Sequence, residues 1–150
     1  MTFMDIKKYI DLRIIGLIGA SLMILSEFLP WFSELSLFEI YLISTLIQLE
    51  DSFLHIFPLM CGIICLLAGL LFIYYKKKEK VYTINSVIIN FIGLGFFLIF
   101  LLDFIPSNFD FLPIAGLGFY LCIAGFLLII IDVVNLLSNP NSNEQNKEGN

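Results

Sequence analysis

Most of the residues that could do chemistry in this chain lie within long apolar stretches of sequence. Glu27 and His55 stand near the ends of two such stretches, and Asp132 lies inside another. A charged side chain in a bilayer is energetically expensive, so it normally faces the protein interior and has a partner. The spacing therefore predicts a contact between Glu27 and His55. It also predicts a hydrogen bond between Asp132 and either Asn85 or Ser86.

These residues also have simpler interpretations. Glu27 and His55 would need no partner if both lay in the hydrated interface, and the carboxylate of Asp132 would need none if it extended to water. Asn90 adds a further polar side chain to the third apolar stretch. If Asp132, Asn85 and Asn90 line a hydrated cavity or a subunit seam, they indicate transport, whereas internal hydrogen bonds would indicate a structural role.

The sequence contains no recognisable catalytic motif. Its single histidine excludes the H-E-x-x-H pattern and any site built from several histidines. No P-loop, dinucleotide-binding glycine pattern or nucleophile elbow occurs in a suitable context. The three cysteines, Cys61, Cys65 and Cys122, form no C-x-x-C pair and lie inside apolar stretches, which favours soft packing residues. We therefore predict no enzymatic activity, no cofactor and no metal.

The composition is that of an integral membrane protein. Of the 150 residues, 59% are hydrophobic and 14% are charged, whereas soluble domains have about 45–50% and about 25%. A soluble domain of this size has too much surface for its volume to bury so many apolar side chains. The net charge of −5 excludes a nucleic-acid-binding protein, since such proteins carry basic surfaces.

Four stretches reach the length of about 20 apolar residues that a helix needs to cross a bilayer. They are uniformly apolar and do not alternate as the strands of a membrane barrel do. We therefore predict an all-α fold, an integral membrane antiparallel four-helix bundle over residues 14–137. The predicted spans are residues 14–32, 53–75, 81–102 and 112–137.

The eight basic residues all fall on one side of this predicted bundle. Three precede the first span, four lie between the second and third spans, and one is in the tail. The connections 33–52 and 103–111 contain none. The positive-inside rule then predicts a plasma-membrane protein with both termini in the cytoplasm. Residues 1–13 form the cytoplasmic N-terminus, and the polar residues 138–150 are expected to be a disordered tail.

The connection 33–52 is too apolar for a free loop and too interrupted for another span. We predict a short interfacial helix that lies on the outer leaflet or folds over the mouth of the bundle. A helical extension of the second span from about Leu35 is the alternative. This apolar segment is also the best candidate for contact with a partner. Trp31 is expected at the headgroup level, which amphipathic rings prefer.

Small residues recur within the spans at intervals of three and four. Helices in membranes approach one another through such residues, and heptad-like spacing suits a left-handed antiparallel bundle. They therefore mark the predicted inward faces. The predicted packing residues are Gly16, Ala20, Gly62, Cys65, Gly69, Gly93, Gly118, Cys122 and Gly125.

Two short motifs carry a resemblance to known proteins. The segment Phe28-Leu29-Pro30-Trp31-Phe32-Ser33 closes the first span, and Gly116-x-Gly118-x-Tyr120 opens the last. Both are similar to patterns in small four-span membrane proteins of archaea and bacteria, and the larger first outer loop resembles a claudin-like layout. That loop lacks the paired cysteines that claudin-like proteins usually carry. The resemblance implies a tetraspan fold and no particular activity.

The expected function is that of a structural, assembly or interaction subunit. Its expected partners are the lipid bilayer and either a second copy of the chain or another membrane protein. The alternative is a small homo-oligomeric transporter or channel, because the chain resembles small multidrug resistance transporters in its length and in the carboxylate of its first span. The chain differs from these transporters in two ways. Glu27 lies near the outer end of the first span and not near the middle of the membrane, and the first outer loop is longer.

Overall fold

The computed structural model describes residues 12–32, 34–47, 52–75 and 81–138 and confirms an all-α chain, to which a two-stranded hairpin is added. Helix α1 is followed by the hairpin, by the short helix α2 and by three long helices, with 3₁₀ helices before α3 and before α5. The bounds are α1 Leu12–Ser26, β1 Pro30–Phe32, β2 Leu35–Ser36, α2 Leu37–Ile47, a 3₁₀ helix Phe53–Ile56, α3 Phe57–Tyr75, α4 Val81–Ser107, a 3₁₀ helix Phe109–Ile114 and α5 Leu117–Ser138.

Three helices of the described residues are long and apolar enough to cross a membrane. The qualifying segments are Phe53–Tyr74, Asn85–Ser107 and Leu117–Ser138, with 22, 23 and 22 residues. At 1.5 Å per residue such a segment is about 33 Å long, slightly more than the hydrocarbon core of a bilayer. Helix α4 continues through Pro106, beyond the predicted end of the third span, and α5 begins later than residue 112.

The first predicted span is part helix and part hairpin. Helix α1 ends at Ser26 through bonds of the tighter i to i+3 type, including one from the N–H of Leu29 to the carbonyl of Ser26. Pro30 then opens strand β1, because proline lacks an N–H and disfavours a helical residue before it. Both α1 and α2 are shorter apolar helices, so the four-span count stays a prediction.

Several predicted features lie outside the described residues. They are residues 1–11 of the N-terminal segment, the lysine-rich connection 76–80 and the tail 139–150. The orientation prediction, which depends on the basic residues of these segments, stays a prediction.

The long helices pack antiparallel, and glycine sets the closest approach. A Cβ added to Gly19 would lie 2.7 Å from the carbonyl oxygen of Gly125, and one added to Gly125 would lie 2.6 Å from that of Gly19. Helices α1 and α5 therefore touch backbone to backbone. Gly62 on α3 also approaches the backbone of α1, with 3.1 Å between its added Cβ and the carbonyl oxygen of Ala20.

Aromatic rings, and not glycines, form the interface between α4 and α5. Phe97 and Phe126 have ring centroids 4.7 Å apart, and Phe104 and Phe119 have centroids 6.3 Å apart. The ring contacts place the start of α5 beside the end of α4, so these helices are also antiparallel. Large side chains hold the two helices apart and fill the space between them, so α1 packs more closely on α5 than α4 does.

Helix α2 begins at a reciprocal cap. The backbone N–H and the hydroxyl of Ser36 donate to Oε2 of Glu39 at 2.9 and 2.8 Å, and the N–H of Glu39 donates to the Ser36 hydroxyl at 3.2 Å. This is a capping box, which satisfies N–H groups that the first helical turn leaves free. Ser36 also pairs with Pro30 across the hairpin. The hairpin therefore fixes where α2 starts.

Alanine at Gly125 is expected to destabilise the bundle by about 1–3 kcal/mol, because its Cβ would overlap the backbone of α1. Gly95→Ala is the matched control on α4, since a Cβ there meets nothing within 4 Å. It should be neutral or slightly stabilising. Unfolding in mixed detergent micelles measures both variants. Equal destabilisation of the two would contradict the close α1–α5 contact.

Acid is expected to loosen the first turn of α2. Hydrogen bonds from the backbone and hydroxyl of Ser36 lower the pKa of Glu39 below its ordinary 4.5. A carboxyl with a lowered folded-state pKa contributes stability above its ordinary pKa, and that contribution is lost as the pH falls through the lowered value. Exchange of the α2 amides, corrected for intrinsic rates, should therefore accelerate at acid pH.

Glu39→Gln should lose this acid dependence. Glu34→Gln removes an exposed neighbouring carboxylate and should keep it. An acid response that is unchanged in Glu39→Gln would show that the cap does not cause it.

Candidate functional site

The turn between α1 and the hairpin buries a carboxylate. Glu27 is 0% exposed, although the next residue, Phe28, is 56% exposed. The backbone of Glu27 is satisfied, because its N–H donates to the carbonyl of Ile24 and its carbonyl accepts from the N–H of Phe38. Neither carboxylate oxygen has a hydrogen-bond partner within the part of the chain that the structure describes. This end of the bundle, which carries Glu27 and the hairpin, is called the hairpin end below.

Trp31 is the centre of the hairpin end. Its side chain is fully buried, and its indole N–H donates to the carbonyl of Ser26 at 2.8 Å. Its ring makes edge contacts with Phe100, Phe104 and Phe119 at centroid distances of 5.8, 5.6 and 5.6 Å. Trp31 is therefore enclosed by the protein and not exposed at its surface, and its expected depth at the headgroup level stays a prediction. The hairpin folds back into the bundle, and a backbone carbonyl replaces the water that the indole would otherwise need.

Glycines at the start of α5 receive the hairpin. The N–H of Gly116 donates to the carbonyl of Trp31 at 2.7 Å. A Cβ on Gly116 would collide with the carbonyl oxygen of Pro30, and one on Gly118 would collide with the indole of Trp31. The two motifs on which the family resemblance depends are therefore in direct contact with each other.

His55 and Glu27 form no hydrogen bond with each other. Among the described residues, Nδ1 of His55 and both carboxylate oxygens of Glu27 are buried without a hydrogen-bond partner. The predicted contact between the two residues stays a prediction. The antiparallel packing of α1 and α3, seen where Met23 Sδ lies 3.7 Å from Cys61 Sγ, brings the two residues to a similar depth. Helix α1 ends at Ser26, one residue before Glu27, so Glu27 lies in the turn that follows the helix.

Ser86 and Asp132 lie near the opposite end of the bundle, and the predicted hydrogen bond of Asp132 to Asn85 or Ser86 stays a prediction. The Ser86 hydroxyl donates to the carbonyl of Ala68 at 3.2 Å, and so joins α4 to α3. Asn85 is exposed. Asp132 is 7% exposed, and its carboxylate lies against Gly16 of α1, where a Cβ would overlap it.

Asn90 and the cysteines line the middle of the bundle. Asn90 is 3% exposed, and its Oδ1 has no hydrogen-bond partner among the described residues. The thiol sulfur of Cys65 lies 3.9 Å from the backbone carbonyl oxygen of Asn90. Cys61, Cys65 and Cys122 are free and buried. No group of three histidine, cysteine, aspartate or glutamate side chains is arranged to hold a metal within the described residues.

Two features of the hairpin end were missed by the sequence reasoning although the sequence carries a signal for each. Phe97, Phe100 and Phe104 recur at intervals of three and four, which places them on one face of α4. The pattern Ser36-x-x-Glu39 is the signature of a capping box. The burial of Glu27 had no such local signal, because it depends on where α1 ends.

Comparison with protein-family models, with curated proteins and with solved structures finds no match for this chain. The residues themselves therefore carry the functional argument. They define a helical, membrane-compatible protein in which an apolar hairpin closes one end of the bundle over a buried carboxylate.

Substitution of Trp31 is expected to open the hairpin end. Trp31→Phe removes the indole N–H that donates to Ser26 and should cost about 1–3 kcal/mol, whereas Trp31→Ala should cost about 3–5 kcal/mol by leaving a cavity. Phe91→Ala is the control, because that ring on α4 is 55% exposed. Unfolding measurements in mixed detergent micelles give the order of stability of the three variants. A Trp31→Ala protein as stable as the Phe91→Ala protein would contradict the central role of Trp31.

Proposed function

We propose that this chain is a structural or interaction subunit of the plasma membrane, without enzymatic activity, that binds a membrane-protein partner through helix α2. The partner is a second copy of the chain or a different membrane protein. The exposed apolar surface of α2 carries this proposal. Leu46 and Ile47 are 88% and 77% exposed, and Leu42 and Ile43 are about half exposed. Of this helix only Leu37 is buried. Large apolar surfaces of this kind indicate contact with lipid or protein.

The packing of the hairpin end also supports an interaction role. Trp31, Phe97 and Phe100 are at most 1% exposed, and Phe104 is 4% exposed. These rings pack against one another and fill the space at the hairpin end. A subunit that acts through its surface needs only this packed scaffold.

The proposed topology has four crossings. In this proposal α1 and the hairpin together make the first crossing, and α3, α4 and α5 make the others. The basic residues at both termini and at 76–80 then face the cytoplasm. Helix α2 lies on the outer side, where a partner in the same membrane could reach it. The chain would then belong with the small tetraspan proteins that its two motifs resemble.

A photo-reactive residue at position 46 tests the proposed surface in native membranes. We expect Leu46 to crosslink to a discrete protein, which mass measurement distinguishes as a second copy or another chain. Position 102 is the matched control, because Leu102 is 78% exposed near the same end of the bundle and should crosslink to lipid. Crosslinking of position 46 to lipid alone would overturn the proposed role of α2.

A small homo-oligomeric transporter is the second candidate. Buried polar atoms of Glu27 and Asn90 have no hydrogen-bond partner among the described residues, which favours this candidate over a purely structural bundle. The protein reconstituted alone would then be a stable oligomer that drives proton-coupled uptake into vesicles. A stable complex with a different protein, with no uptake, would exclude this candidate.

A further inference from the structure

The carboxyl group of Glu27 lacks the partner that a buried charge requires. Its side chain is 0% exposed, and neither oxygen has a hydrogen-bond partner among the described residues. An isolated carboxylate that is taken out of water loses its hydration without a compensating interaction. This costs the folded protein a large amount of free energy. Within the part of the chain that the structure describes, no side chain forms a hydrogen bond that could stabilise its charge.

Basic residues are missing from the whole region around Glu27. No lysine or arginine occurs between residues 14 and 75 or between residues 81 and 146. His55 is the single candidate cation on the neighbouring 3₁₀ helix, and it makes no hydrogen bond to Glu27. A salt bridge from within these segments therefore cannot stabilise the carboxylate.

The other titratable groups around Glu27 also supply no positive charge. From α5 the thiol of Cys122 lies next to Glu27, and from α3 the thiol of Cys61 lies near that of Cys122. From α2 the carboxylate of Glu39 is already bound to Ser36. Asp103 on α4 is exposed and acidic. Each of these groups is neutral or negative, so the surroundings favour the uncharged form of Glu27.

We propose that Glu27 is a proton-binding site, occupied in the closed structure and emptied when the hairpin end opens. A proton is the smallest cation and needs only one of the two carboxyl oxygens. This inference concerns the chain alone and does not depend on the proposed partner of α2.

The segment that covers Glu27 consists of the strands of the hairpin and α2, residues 30–32 and 35–47, and is called the lid. The N–H of Phe38 in this lid donates to the carbonyl of Glu27 at 3.2 Å. The ring of Phe38 also lies 5.5 Å from that of Phe28, centroid to centroid. The residue that holds the proton is therefore bound directly to the lid. Loss of the proton leaves a negative charge that requires hydration. Movement of the lid then admits water to the carboxylate.

The proposal predicts how the closed state depends on pH. The closed state holds one proton that the open state releases, so the closed-to-open ratio falls as the pH rises. A single proton changes that ratio by at most about tenfold per pH unit. Glu27→Gln has a similar shape and no proton to lose, so its ratio should not respond.

Trp31 reports this equilibrium directly, because it is the single tryptophan of the chain and is fully buried in the closed hairpin end. We propose to measure acrylamide quenching of Trp31 in the full chain in lipid nanodiscs, from about pH 6 to about pH 9. Quenching should rise with pH in the unmodified chain and stay flat in Glu27→Gln. Asp103→Asn removes an exposed acid at the same end and should behave as the unmodified chain does.

His55→Gln separates the role of Glu27 from titration of the histidine. The rise in quenching should persist in this variant. A flat response of the unmodified chain, or a rise that persists in Glu27→Gln, would overturn the proposal.

Carbodiimide labelling of the unmodified chain gives an independent test if Glu27→Gln fails to fold. Dicyclohexylcarbodiimide enters membranes and adds to protonated carboxyl groups, so mass spectrometry should find an adduct on Glu27 that decreases as the pH rises. Asp132→Asn should keep this adduct, since it alters the other buried acid. No adduct on Glu27, or one that does not depend on pH, would overturn the proposal.

Discussion

The contact between the hairpin and the first turn of α5 determines the arrangement of the hairpin end. A side chain at Gly116 would collide with the hairpin backbone at Pro30, and one at Gly118 would collide with the indole of Trp31. This approach places Trp31 among the phenylalanine rings. It also fixes the turn that buries Glu27, and the pairing that places Ser36 at the start of α2. The aromatic core, the buried acid and the surface helix therefore depend on one backbone contact.

Residue size then divides the bundle into two kinds of interface. Helices α1 and α5 meet through Gly19 and Gly125, with no side chain between their backbones. Helices α4 and α5 meet through rings such as Phe97 and Phe126. In a membrane, apolar surface by itself does not drive helices together, so close packing and shape decide which helices pair. The glycine interface holds the first helix against the last, and the aromatic interface fills the space that remains.

The features that the sequence predicted are those that depend on local composition. The three long helices follow from runs of apolar residues that exceed the thickness of a bilayer. Hydropathy failed at residues 27–32, because it measures side chains and not the direction of the backbone, and an apolar hairpin has the same hydropathy as the end of a span. Pro30 was the available signal.

The distribution of the basic residues accounts both for the proposed orientation and for the lack of a lysine or arginine in the segments around Glu27. The basic residues are concentrated at the termini and between α3 and α4, which is what the positive-inside rule uses to orient the chain. The same concentration removes every lysine and arginine from the segments that surround Glu27. Leucine at this position would bury more apolar surface with no polar group to satisfy, so packing alone does not explain a glutamate there. An acid that is held in the interior without a salt-bridge partner is suited to exchange a proton.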